Sequence, residues 1–199
     1  MKAAIILKDA YLDNFDNCYD IIIGCDRGAL HAINNNIIPD IAIGDFDSVN
    51  KNEYELIENK IKKIIKLNPV KDESDTHEAI EYVKNYDLIE VLGGISGKRI
   101  EHLFSNIIDL INYNNVIMKD KYSLIEIINN NDYSFRKEYK YVSIFAIDDS
   151  LISLKGFKYN ISDYLLKRND PLCLSNEIIN NPKIDIKSGK LLVIYSYSD

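Results

Sequence analysis

The sequence predicts an α/β protein with an N-terminal parallel-sheet domain, residues 1–128, followed by a smaller antiparallel β-sandwich domain, residues 129–199. Two observations predict it. Up to about Val116, short apolar runs alternate with segments of helical spacing, which is the pattern of a parallel sheet covered on both faces. Beyond that point only strand-like runs remain, separated by turn residues, with no helical pattern of three turns.

In order along the chain, residues 3–7 and 21–25 are continuous apolar runs of strand length. Residues 41–43 form a third strand, ending in the polar turn Gly44-Asp45-Phe46-Asp47-Ser48. A helix over 51–59 precedes a strand over 61–67. A second helix spans 75–85, with Asp75 and Glu78 spaced as a capping box and Ala79, Ile80 and Val83 facing inward. The strand 88–92 closes on Gly93-Gly94. Over 99–113, Ile100, Leu103, Phe104, Ile107, Ile108 and Ile111 repeat with helical spacing, predicting a helix with one apolar face. The second domain contributes strands over 122–128, 141–147, 151–154, 172–174, 184–186 and 191–197. Between them lie turn residues such as Asn129-Asn130-Asn131, Lys155-Gly156 and Ser188-Gly189.

Composition excludes several classes of function. With 46% hydrophobic and 28% charged residues the chain is an ordinary globular sequence. Its net charge of −7 argues against a nucleic-acid partner, which a basic surface would hold. No apolar run approaches the length of a membrane span, and the first residues lack a secretory signal pattern. Cys18, Cys25 and Cys173 are odd in number and scattered, so neither a disulfide framework nor a zinc pattern is expected. A cytoplasmic protein is the expectation.

Ligands of an open parallel sheet bind beyond the carboxyl ends of its strands. Here those ends carry Asp26-Arg27-Gly28, then Asp45 and Asp47, then Asp72 and Asp75, and then a glycine-rich loop running into Lys98, Arg99 and His102. Carboxylates so crowded repel one another unless a cation intervenes, and hard oxygen ligands suit Mg2+ with substrate phosphates. A helix cap would equally account for Asp72 or Asp75, and a solvated turn for Asp45 and Asp47. Gly93 to Arg99 is not a Walker motif, since the glycine spacing is one residue short and Arg99 stands where Ser or Thr belongs. Its glycines would still let backbone amides approach a phosphate at the start of a helix. On that helix Arg99, His102 and Asn106 share a polar stripe.

Taken together, Cys25-Asp26-Arg27-Gly28-Ala29, Pro39 to Ser48, Lys71-Asp72-Glu73-Ser74-Asp75-Thr76 and Gly97-Lys98-Arg99-Ile100-Glu101-His102 resemble the successive signatures of thiamine pyrophosphokinases. Leu174-Ser175-Asn176-Glu177 and Ser188 to Ile194 resemble that family's thiamine-binding β domain. The resemblance implies transfer of pyrophosphate from ATP to the thiamine hydroxyl, releasing AMP, by a homodimer whose thiamine cleft is shared with the partner subunit. It implies that Asp45, Asp47, Asp72 and Asp75 are the catalytic acidic group, with Mg2+ on Asp45, Asp47 and Asp72. Asp26, Arg27, Ser48, Thr76, Arg99, His102 and Asn106 would line the ATP site, and Ser175 and Asn176 would contact thiamine. The chain departs from the family pattern at Lys98 and Glu101, and it has no Trp to stack on thiamine. The alternatives are a pyrophosphokinase for another small alcohol, such as a hydroxymethyl pterin, and a nucleotide-binding regulator without catalysis.

Overall fold

A computed structural model describes residues 1–70, 73–97 and 99–197 and divides into two compact units, Met1–Lys121 and Tyr122–Asp199. In the first unit, strands β1 (Lys2–Ile6), β2 (Ile21–Cys25), β3 (Ile41–Gly44), β4 (Lys63–Lys66), β5 (Leu88–Leu92) and β6 (Val116–Lys119) lie in the order β6-β5-β1-β2-β3-β4. Every neighbouring pair is parallel. Ala3, Ala4, Ile5 and Ile6 are completely buried, as a strand covered on both faces requires. Strand order reverses between β1 and β5, which makes that boundary a topological switch point.

Among the described residues these strands are connected by α1 (Arg27–Asn34), α2 (Lys51–Lys60), α3 (Asp75–Val83) and α4 (Ile100–Asn112). The sequence pattern did not single out α1, which is only 8 residues long. It packs close to the sheet through Gly28, where a Cβ would come within 2.0 Å of the Ile6 carbonyl oxygen. Helix α2 begins with a capping box: the Asn50 side chain accepts from Glu53 N and Glu53 accepts from Asn50 N. At α3 the cap is Ser74, whose hydroxyl accepts from His77 N at 3.1 Å, and not the Asp75–Glu78 pair.

In helix α4 the apolar face is not the one turned to the core. Ile100, Phe104 and Ile108 are 75%, 68% and 51% exposed, whereas Asn106, Asp109 and Leu110 are buried. The Asp109 carboxylate is met there by His77 Nδ1 at 2.8 Å, which joins α3 to α4. A second buried carboxylate, Glu90 on β5, accepts from Lys2 Nζ at 2.9 Å, Tyr19 Oη at 2.7 Å and Lys119 Nζ. Burial opposes its charge, but the bonds from Lys119, Lys2 and Tyr19 win and hold the carboxyl below its ordinary range.

The second unit is antiparallel throughout, comprising β7 (Ser123–Ile128), β8 (Tyr141–Ala146), β9 (Ser150–Phe157), β10 (Ile161–Leu166), β11 (Asn176–Ser188) and β12 (Leu191–Ser196). Strand β11 starts beside β8 at Asn176 and Glu177, and from Ile178 onward it pairs with β9. One long strand therefore links the β7-β12-β8 sheet to the β10-β9-β11 sheet, the arrangement of a β-sandwich. Residues 172–174 form a turn rather than the expected strand, closed by Leu174 N donating to Pro171 O at 3.1 Å. Val142, Ile152, Leu154, Leu191, Val193 and Tyr195 are completely buried in this unit.

Candidate active site

Asp26 directly follows β2, and Asp45 and Asp47 follow β3, so two adjacent strands deliver their ends side by side. Asp26 N donates to Ile43 O at 2.7 Å. The close approach depends on Gly44, since a Cβ there would lie 2.9 Å from the Asp26 Cα. Phe46 sinks into a cluster with Ala29, Leu30, Ala42, Ile57 and Ile61 and meets Tyr54 edge-on at 5.3 Å. A buried ring between two aspartates turns both carboxylates outward. Asp26 and Phe46 hold φ values of 48° and 61°, a conformation that L residues adopt at a cost of about 1–3 kcal/mol and that concentrates at functional sites.

The outcome is a group of three carboxylates, Asp26, Asp45 and Asp47, with one oxygen from each lying within 4.8 Å of the others. Asp26 Oδ2 accepts from Ser48 Oγ at 2.6 Å, while Asp26 Oδ1 is buried with no hydrogen-bond partner among the described residues. The negative charge of Asp45, then burial, then the charges of Asp26 and Asp75 push the Asp47 carboxyl above its ordinary value. A divalent cation would relieve both conditions, the crowding and the orphaned buried oxygen, so these residues fit one.

Of the other expected site residues, Arg27 is tied to this group through Ser48, and Asp75 acts on Asp47 through its charge. Arg27 Nη1 donates to Ser48 O at 2.6 Å and Nη2 to Glu53 Oε1 at 3.0 Å. Asp75 and Thr76 open α3, both half-buried. Asp72 and Lys98 lie outside the described residues. Arg99 and His102 are exposed at the start of α4, where Arg99 Nε donates to Glu101 Oε1 at 2.8 Å. That hydrogen bond holds the Glu101 carboxyl below its usual value.

Asn106 is buried, and its Nδ2 donates to Gly94 O at 3.2 Å. Gly94 N donates to Asp9 Oδ1 at 3.0 Å and Gly93 N to Lys119 O at 2.9 Å. Both glycine amides are thus engaged within the protein, which corrects the expectation that they face a phosphate. In the second unit Ser175 is exposed with φ 51°, and its N donates to Ser143 Oγ at 3.0 Å. The Asn176 side chain is buried; it accepts from Tyr159 N and Glu177 N at 3.0 Å each and donates to Tyr159 O at 2.7 Å.

Sequence reasoning passed over Asp9, Glu53 and Asp109. The signal for Glu53 was present, because Asn50 and Glu53 have capping-box spacing immediately after the Asp45–Ser48 turn. Asp9 had no local pattern to mark it.

A doubly wound sheet with carboxylates able to take a divalent cation at its strand ends belongs to the α/β class that binds ligands at that edge. Residues 12–121 match the family described as thiamin pyrophosphokinase, catalytic domain, and residues 125–193 match thiamin pyrophosphokinase, vitamin B1 binding domain. The chain belongs to the thiamin pyrophosphokinase family, whose general activity is transfer of pyrophosphate from ATP to thiamine. Members are ATP-dependent and typically need a divalent metal. Among its relatives, the thiamine pyrophosphokinase of Bacillus subtilis is 28% identical over 196 residues, covering 93% of this chain and 91% of that protein. Thiamin pyrophosphokinase 1 of Caenorhabditis elegans is 27% identical over 173 residues, covering 78% and 68%. The crystal structure of thiamin pyrophosphokinase from Geobacillus thermodenitrificans shares the fold with a TM-score of 0.85 at 24% identity, covering 100% of this chain and 98% of that one.

Proposed function

We propose that this chain binds ATP and thiamine and transfers the β,γ-pyrophosphoryl group to the thiamine hydroxyl, releasing AMP, with Mg2+ held by the strand-end aspartates. The observation that carries this reading is the group of Asp26, Asp45 and Asp47 with the orphaned Asp26 oxygen in its wall. A divalent cation bound there would neutralise charge on the phosphate oxygens. Asp45 and Asp47 supply carboxylates turned outward by Phe46, with Asp72 as a further ligand and Asp75 close enough for its charge to be felt at Asp47. Arg27, Ser48, Thr76, Arg99, His102 and Asn106 form the surroundings of the nucleotide. Asp75 or Asp72 takes the hydroxyl proton as thiamine attacks. The first unit is the nucleotide domain; the second holds thiamine near Ser175 and Asn176.

The same reading makes the enzyme a cytoplasmic homodimer with its thiamine cleft shared between subunits. Support for association comes from α4, which leaves Ile100, Phe104 and Ile108 exposed along one face. No helix among the described residues is long and apolar enough to cross a membrane.

The test is AMP release from ATP and Mg2+ with and without thiamine. AMP formed only when thiamine is present, and abolished by a chelator, supports the reading. AMP formed only with a hydroxymethyl pterin, or ATP binding without turnover, refutes it.

A further inference from the structure

The Asp45–Ser48 turn is held by a chain of bonds that ends on a residue with no assigned role. Ser48 is fixed twice: its hydroxyl donates to Asp26 Oδ2 at 2.6 Å, and its carbonyl accepts from Arg27 Nη1 at 2.6 Å. The other guanidinium nitrogen of Arg27 donates to Glu53 Oε1 at 3.0 Å. Glu53 is itself immobilised, since its Oε2 accepts from Asn50 N at 2.9 Å and its own N donates to Asn50 Oδ1 at 3.0 Å. Its two oxygens therefore serve two separate donors. One caps α2, and the other anchors Arg27.

We infer that Glu53 is a positioning residue for the cation-binding carboxylates, an inference that rests on the proposed cation site. By fixing Arg27 it fixes the Ser48 carbonyl, and with it the turn that aims Asp45 and Asp47 at Asp26. Without that anchor, three like charges within 4.8 Å would push the turn away from Asp26 whenever no cation is bound. Only a carboxylate does both jobs, because it presents two acceptor oxygens. A glutamine has one acceptor, so it can keep the cap or hold Arg27 but not both.

The experiment is direct binding of Mn2+ alone, followed by the loss of the free-ion signal in electron paramagnetic resonance, without nucleotide. Unaltered protein, E53Q, R27K and N50A are compared, with the melting temperature of each. E53Q and R27K are expected to bind Mn2+ about three- to tenfold more weakly, the range open to one charge-assisted contact in a partly exposed setting. N50A removes the cap without touching Arg27; it should melt lower yet bind Mn2+ within about twofold of the unaltered protein. The inference is overturned if E53Q binds Mn2+ as tightly as the unaltered protein. It is also overturned if N50A weakens binding as much as E53Q, since the effect then runs through helix stability. Absence of Mn2+ binding by the unaltered protein overturns both this inference and the cation site beneath it.

Discussion

Replacing Asp26 by Asn should move stability and activity in opposite directions. The substitution is nearly isosteric, and Asn is among the few residues that tolerate the positive φ held at position 26. The amide oxygen can still accept from Ser48 Oγ, so that hydrogen bond is retained. What changes is charge. The Asp26, Asp45 and Asp47 oxygens lie within 4.8 Å of one another, and D26N removes two of the three repulsive pairs. At that separation each pair costs about 0.9 kcal/mol in bulk water and about 3.5 kcal/mol at an effective dielectric of 20. Asp47 is exposed, so the water end of that range governs, and a gain of about 1–2 kcal/mol remains after screening. For a chain of this size each kcal/mol is worth roughly 2–4 °C in melting temperature. In chelator, D26N should therefore melt several degrees higher than the unaltered protein. The further stabilisation that Mg2+ gives the unaltered protein should shrink, and AMP formation should fall by about 100-fold or more. Differential scanning fluorimetry with and without Mg2+, beside a turnover assay, reads all three. A D26N variant that melts lower in chelator, or keeps near-normal turnover, would refute the reasoning.

Four other substitutions separate site from scaffold. E90Q leaves Lys2 and Lys119 facing a neutral group and should cost about 3 kcal/mol, read by urea denaturation. Because the Glu90 carboxyl is held below its ordinary value of 4.5, its stabilisation is present above that pH and is lost as pH falls through the lower folded value; the acid-side fall in stability should thus be steeper in the unaltered protein than in E90Q. F104E alters a side chain that is 68% exposed within the chain, so a monomer would be nearly indifferent to it, whereas the proposed dimer should dissociate in light-scattering measurements. At α3, D75N should lose turnover with its melting temperature nearly unchanged, while S74A, which removes the cap from His77 N, should lose about 1 kcal/mol of stability and keep most of its turnover.

The strand ends that carry the carboxylate group were legible because each feature is local. A short apolar run followed by aspartate marks the carboxyl end of a parallel strand, and Phe46 between Asp45 and Asp47 enforces the outward turn of both. The orientation of α4 was not legible. Helical spacing says that Ile100, Phe104 and Ile108 share a face, but not what covers it, and the face turned inward carries Asn106 and Asp109 instead. For the same reason spacing put Asn106 on one polar stripe with Arg99 and His102, whereas those two are exposed and Asn106 is buried and holds Gly94 O. The bond from Gly94 N to Asp9 spans 85 residues, a separation that no window of local pattern reaches. In the second unit, the polar residues of Ile161–Leu166 and the turns around 172–174 obscured which segments pair, because antiparallel pairing there depends on distant partners.

Phosphorus NMR and mass analysis of the products formed from ATP, Mg2+ and thiamine test the central claim most directly. The account predicts thiamine diphosphate and AMP in equal amounts, with no ADP and no thiamine monophosphate. ADP appearing with thiamine monophosphate, or no phosphorylated thiamine while ATP is bound, would contradict it.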